Sequence, residues 1–306
     1  MNVVARPRQE AAGEGLAPRL EELVALRHEI PRAGTPGVGR AGLRAAAPSS
    51  LRGRGMEYAE SREYVAGDDV RRMDWRLTAR TGRAHTKLFQ AERERLALLV
   101  ADTSPALYFG TRVRFKSVQA ARAGAVAAWA ALRAGDRIAA LRGGEAAIPP
   151  AAGMRGVMRV LEALVRWYAQ PPQDDAGLEL ALEHAQRLLR PGARVVVLAD
   201  PQAAARVPLQ RWAALGRHHE ADLVLLQDAL ETTPPQRALA VEAGGRRLHL
   251  PLQREQARAQ WHAALVLSAE VLARTLPAHG WRVHCLATDA AASDWMQPSR
   301  SAPGEA

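Results

Sequence analysis

Cysteine, lysine and aromatic residues are all scarce in this 306-residue chain, and each scarcity excludes something. A single cysteine, Cys285, leaves no partner for an intrachain disulfide, and the opening MNVVARPRQEAAGEG lacks the apolar segment of a secretory leader. Together these lead us to expect a cytoplasmic protein. Aromatics make up only 5% of the chain, too few for the stacked platform on which single-stranded nucleic acid is held. Long apolar runs are missing as well. The run AGAVAAWAAL, residues 123–132, is bounded by Arg122 and Arg133 and is too short to span a bilayer. Lys87 and Lys116 are the only lysines, so the positive charge is almost wholly arginine. With alanine abundant too, this pattern reads as GC-rich bacterial coding rather than as a design for one ligand.

What is present describes a globular chain. Hydrophobic residues make up 48% and charged residues 24%, enough at this length to bury a core without disulfides or metals. The net charge of +10 and pI near 10.9 permit contact with nucleic acid or an anionic surface. The charge is spread thinly, however. Residues 1–95 hold 18 Lys/Arg against 13 Asp/Glu, a net +5, which is half of the excess. Duplex DNA is therefore expected to bind weakly and to be released steeply by salt, as counterion release requires. A nanomolar, sequence-selective complex at physiological salt would overturn that expectation.

Along the chain, residues 1–16 read as a tail, and Leu20, Leu23, Val24 and Leu26 space an amphipathic helix over 17–30 that Pro31 ends. Residues 31–55, rich in Gly, Pro and Ser, read as a long loop. From residue 84 strands and helices alternate. LALLVAD (96–102), DRIAALRGG, RVVVLAD (194–200), ADLVLLQD and WRVHCLATD (281–289) are strand-like. Between them lie the helical stretches KSVQAARAGAVAAWAALRAG, MRGVMRVLEALVRWYA, AGLELALEHAQRLL and LQRWAALGRHH, then one long helix from about 253 to 276. The expectation is an α/β fold with a doubly wound, mostly parallel sheet. Added to it are an N-terminal helix, a long loop and a small β-containing extension. The expected divisions are 1–16, 17–92, 93–292 and a second tail at 293–306.

Ligands of such sheets sit beyond the carboxyl ends of the strands. Asp102, with Ser104 two residues on, and Asp200 both fall at strand tips, an oxygen-rich set suited to Mg²⁺. Aspartates there also cap the next helix without any metal. His218 and His219 are adjacent and would point about 100° apart on a helix, so they do not share an ion. The tryptophans at 129, 167, 212, 261, 281 and 295 fall within helix or strand patterns as packing residues.

The densest charge is in REYVAGDDVRRMDWRLTAR, residues 62–80, where Tyr64, Val65, Val70, Met73, Trp75 and Leu77 are threaded among aspartates and arginines. Val70, Met73 and Leu77, at i, i+3 and i+7, predict a helix turned toward the sheet domain, with Trp75 packed at its flank. Asp74 would pair with Arg71 three residues back. Asp68, Asp69, Arg71, Arg72, Asp74, Arg76 and Arg80 form the expected protein-binding set. As an alternative, Asp68, Asp69 and Asp74 would gather a metal for phosphoryl hydrolysis, with Arg71 or Arg72 on the phosphate. No histidine or cysteine stands near as base or nucleophile, and His85 reads as a strand residue.

The blocks RGRGMEY, REYVAGDDVRRMDW, TAR and KLFQAERE, leading into LALLVADTS, resemble the bacterial DUF58 family over about residues 40–290. The resemblance implies a von Willebrand factor A-like fold and a non-enzymatic adaptor or assembly role. The implied partners are a MoxR-type AAA+ ATPase and, alongside it, membrane-anchored von Willebrand factor A proteins, with no specific nucleic acid. The metal site of that fold is built on Asp-x-Ser-x-Ser, a threonine and a distant aspartate. Asp102, Ser104 and Asp200 match, but Ala106 replaces the second serine, and Asp174, Asp175, Ala176 and Gly177 offer no hydroxyl where the threonine is expected. The expectation is a degenerate site with no cofactor or weakly bound Mg²⁺. If the loops are placed as the resemblance implies, restoring Ala106→Ser with Gly177→Thr should raise metal affinity.

Overall fold

The computed structural model describes residues 15–30, 56–65, 68–91, 95–143, 145–171, 177–243 and 246–297. The expected loop at 31–55, the expected tail at 1–16 apart from residues 15 and 16, residues 298–306 of the second expected tail, and Asp174, Asp175 and Ala176 lie outside the described residues. Two compact units emerge. Val38–Glu94 forms one, and Met1–Gly37 joins Arg95–Ala306 in the other. The first helix, α1 (Leu20–Ala25), therefore belongs with the sheet rather than with the 62–80 block.

The smaller unit pairs β1 (Met56–Glu63) antiparallel with β2 (His85–Ala91), with α2 (Trp75–Thr81) between them. Residues 70–80 are not the single helix that the spacing predicts. Val70–Arg72 makes one 3₁₀ turn, Met73 extends to bridge Thr86, and α2 starts afresh. Two aspartates impose the break. Asp69 caps the 3₁₀ turn by accepting from the Arg71 N–H, and Asp74 caps α2 by accepting from that of Leu77. A capping residue needs non-helical backbone, so two caps five residues apart forbid one helix. Gly82, at φ +71, closes α2 in the left-handed region that suits glycine.

The larger unit is built on a six-stranded sheet ordered β10-β7-β6-β3-β4-β5. Its strands are β3 (Leu96–Ala101), β4 (Arg137–Leu141), β5 (Ile148–Ala151), β6 (Arg194–Ala199), β7 (Glu220–Gln227) and β10 (Trp281–Ala287). All pairings are parallel except β4 with β5. The apolar runs explain why: β6 is buried along its whole length, as a strand covered on both faces must be. Strand β5, IPPA, was not legible as a strand. Its two prolines are tolerated because it lies at the sheet edge.

Helices cover both faces. On one side α1, α3 (Lys116–Arg133) and α4 (Gly153–Tyr168) pack over Leu99, Ile138, Leu198 and Leu226. Leu23 and Leu26 are buried there, and Trp129 donates its indole N–H to the Leu23 carbonyl at 2.9 Å. On the other side α5 (Gly177–Leu188), α6 (Pro201–Arg206), α7 (Leu209–Gly216) and a helix near residue 270 pack over Leu98, Val195, Val197 and Leu223.

Between β7 and β10 the chain departs from expectation. After the short α8 (Ala229–Thr232), a hairpin of β8 (Ala238–Ala243) and β9 (Arg246–Pro251) precedes two helices, α9 (Glu255–Leu265) and α10 (Leu267–Thr275). One continuous helix was expected there. The Gln202 amide donates to the Ala264 carbonyl where the ladder is interrupted, so that carbonyl is satisfied from outside the helix. The expected tail from 293 begins with an ordered turn, Asp294–Met296, that buries Trp295 and Met296. Among the described residues no helix is long and apolar enough to cross a membrane.

Candidate functional site

Sheet order reverses between β3, whose successors run one way, and β6, whose successors run the other. The crevice beyond the carboxyl ends of two such strands is where doubly wound folds bind ligands. Asp102 and Asp200 stand on this pair of strands, as the sequence placed them. Asp102 is 1% exposed and accepts from the Ser104 N–H at 2.9 Å, the Ser104 hydroxyl at 3.0 Å and the Asp200 N–H at 2.9 Å. Tyr168 donates its hydroxyl to the Asp102 carbonyl at 2.8 Å. Burial pushes the Asp102 carboxyl up to about 6 against these bonds, with Asp200 adding to the rise.

That shift carries a stability consequence. Asp102 holds its proton in the folded state up to about pH 6 but loses it near 3.8 when unfolded. The protonated form therefore stabilises the fold fully below about pH 4, and the benefit is lost as pH rises to about 6. Folding should weaken by about 3 kcal/mol across that window from this group alone. Urea unfolding at closely spaced pH values should show the slope, and Asp102→Asn should flatten it whatever the variant does to absolute stability.

Asp200 caps α6, accepting from the Gln202 N–H at 2.8 Å through one oxygen. Its other oxygen accepts from the Lys116 ammonium at 2.8 Å. The same ammonium donates to Glu231 at 2.6 Å and lies 5.9 Å from the centroid of the Phe109 ring. Lys116 is the first residue of α3 and is 1% exposed. Burial alone would favour its neutral form, but Asp200 and Glu231 outweigh burial and hold the ammonium charged, above its usual range. Burial raises Glu231, with Lys116 acting against the rise.

A third strand also ends in aspartate. Asp228, after β7, accepts from Leu230 N–H at 3.0 Å while the Glu231 carboxylate accepts from the Asp228 N–H at 2.8 Å, a reciprocal cap on α8. Asp228 also accepts from Thr111, through both its N–H at 3.0 Å and its hydroxyl, and from the Thr288 hydroxyl at 2.8 Å. Burial opposes the Asp228 charge, but these donors hold its carboxyl below the usual range.

The remaining expected site residues lie in the smaller unit. Asp68 accepts from Arg62 at 2.7 Å and from the Val65 N–H at 3.0 Å. Asp74 accepts from Ser61 and Leu77 rather than from Arg71. The three aspartates thus fix turns and caps, each on its own partners. Arg71, Arg72, Arg76 and Arg80 are exposed. Trp75 does not pack at a flank: it is 67% exposed, with Val65 and Val70 each at 59%. In the larger unit the Ser104 hydroxyl is directed to Asp102 itself, and Ala106 sits in the 3₁₀ turn Pro105–Leu107. Gly177 begins α5 at φ +81. Among the described residues no group of three or more His, Cys, Asp and Glu is arranged to hold a metal ion.

A family model described as "Protein of unknown function DUF58" matches residues 60–270. The chain belongs to the DUF58 family. The DUF58 match spans the 62–80 block together with Asp102, Thr111, Lys116, Asp200, Asp228 and Glu231. Uncharacterized proteins of Mycobacterium bovis and Mycobacterium tuberculosis are 36% identical over 152 residues, 48% of this chain and 48% of theirs. The alignment thus spans about half the length of these curated relatives. No solved structure matches the chain.

Lys116, Asp228, Glu231, Thr111 and Thr288 were not singled out by the sequence. Signals for some were present. The run VLLQD ends a strand as LLVAD and VVLAD do, and DALE has the D-x-x-E form of a capping box.

Proposed function

We propose that this DUF58 chain is a non-enzymatic protein-binding adaptor or assembly factor that works with a MoxR-type AAA+ ATPase, and that its sheet unit is a von Willebrand factor A-like domain. The observation that carries the reading is the exposure of Trp75, Val70 and Val65 beside exposed Arg71, Arg76 and Arg80. A large aromatic that the fold leaves open, with exposed arginines close by in the sequence, has the make-up of an interface anchor, in which Trp and Arg are enriched. The strand order, with one antiparallel edge strand, supports the domain reading. The engagement of Asp68, Asp69 and Asp74, the cluster metal-dependent hydrolysis would use, in separate local turns and caps supports a binding role.

The test is direct. Trp75→Ala with Arg76→Glu should leave melting almost unchanged, within about 0.5 kcal/mol, because neither side chain is buried. The pair should nonetheless abolish capture of the purified ATPase in calorimetry. Undiminished capture would overturn the reading. Asp69 is unsuitable for charge reversal because it caps the turn at Val70–Arg72.

A further inference from the structure

Two buried carboxylates, Asp200 and Glu231, meet around one cation at the carboxyl edge of the sheet, and Asp102 accepts from the Asp200 N–H beside them. Asp102, Asp200 and Glu231 are 1%, 2% and 7% exposed. Each of the two that touch the cation has its second oxygen pinned elsewhere. Asp200 gives one oxygen to the Gln202 N–H, and Glu231 gives one to the Asp228 N–H. The remaining pair, Asp200 Oδ2 and Glu231 Oε1, is aimed at the Lys116 Nζ from 2.8 and 2.6 Å. Backbone donors thus hold two hard anionic oxygens facing a single point. An ammonium is the only side-chain cation compact enough to serve as a point charge there, since a guanidinium is a planar fork. The choice of residue agrees with this, because lysine occurs only twice in a chain with 42 Lys and Arg.

We propose that Lys116 is the resident cation of a divalent-ion type of site: its ammonium occupies the position between Asp200 and Glu231, so the native chain takes no Mg²⁺ or Mn²⁺ there, and removing the ammonium opens that position to a hard divalent cation. The inference rests on the engaged ammonium and goes beyond the adaptor reading, which concerns the smaller unit. Hard dications take carboxylate oxygens and keep several waters, so two or three carboxylates suffice once the competing charge is gone. Glu231 also lines a cleft of about 440 Å³ with Arg258, Trp261 and His262. Restoring hydroxyls by Ala106→Ser with Gly177→Thr should therefore fail to create tight binding while Lys116 stays in place.

The experiment uses the full chain with Mn²⁺ as the probe. The native protein should show no saturable Mn²⁺ uptake in calorimetry and the same melting temperature in EDTA and in millimolar Mn²⁺. Lys116→Met should melt lower than the native chain in EDTA and regain part of the loss in Mn²⁺, with saturable uptake. Adding Glu231→Gln to Lys116→Met should remove the uptake and relieve the loss in EDTA. Micromolar Mn²⁺ binding by the native chain that disappears in Asp200→Asn would overturn the proposal, and that arm holds even if Lys116→Met does not fold. A folded Lys116→Met that takes up no ion would overturn it equally.

Discussion

Replacing Asp222 by alanine is expected to cost the sheet unit about 3–5 kcal/mol at neutral pH. Asp222 sits inside β7, 2% exposed, and accepts from two guanidinium N–H groups of Arg282 on β10 at 2.7 Å each. His284 lies 3.0 Å from the same carboxylate, and Arg194 of β6 lies 3.6 Å from it at 8% exposure. One carboxylate thus joins three adjacent strands. Its loss strands a buried guanidinium, and an uncompensated buried charge is among the most costly single changes. Burial works against the Asp222 charge, but Arg282, His284 and Arg194 outweigh it and hold the carboxyl well below the usual range. A depressed carboxyl stabilises the fold above its unfolded value near 3.8, and the gain is lost as pH falls through the folded value. The difference between native and Asp222→Ala in urea unfolding should therefore be full at neutral pH and shrink in strong acid. A loss below about 1 kcal/mol would show that Arg194 finds water instead.

Trp281→Ala should cost about 3–5 kcal/mol as well, by leaving a hole under α7. Trp281 and Trp212 are 2% and 1% exposed, with ring centroids 4.8 Å apart and planes at 88°. Trp281 also donates its indole N–H to the Trp212 carbonyl at 2.8 Å, which the truncation would leave without that donor. Gly216, at the end of α7, is the companion test. A methyl there would lie 2.1 Å from the His279 carbonyl oxygen and 2.8 Å from the Trp281 ring. Gly216→Ala must push backbone aside, and overpacking of that kind costs about 1–3 kcal/mol or more. Because the two sites touch, thermal melts of the double variant should show less than the summed loss. The His279 clash would remain, so the double variant should still fall below Trp281→Ala alone.

The sheet was legible because its central strands are covered on both faces and so appear as unbroken apolar runs, as in LALLV and RVVVLA. Elements with weaker burial were not. IPPA carries prolines that argue against a strand, and only its edge position reconciles them. The break between α9 and α10 has no glycine or proline to mark it, since Gln202 from a distant helix is the partner of Ala264. At the site, Asp102 and Asp200 were found from strand tips alone. Lys116 was hidden because charge at the start of a helix usually signifies solvent, and nothing local reveals that Glu231, 115 residues away, comes to meet it. In the smaller unit the apolar spacing of Val70, Met73 and Leu77 was real but overruled by the caps at Asp69 and Asp74.

The near-absence of lysine gives the chain an unusual chemical handle. Acylating reagents attack a neutral, reachable amine, and Lys116 is neither. Lys87 on β2 is half-buried, whereas Lys116 is 1% exposed and is kept protonated by its two carboxylates. An activated ester should therefore modify Lys87 readily and reach Lys116 only in molecules whose strand ends have parted. The slow appearance of the Lys116 adduct, followed by peptide mass, would serve as a clock for the opening of the crevice.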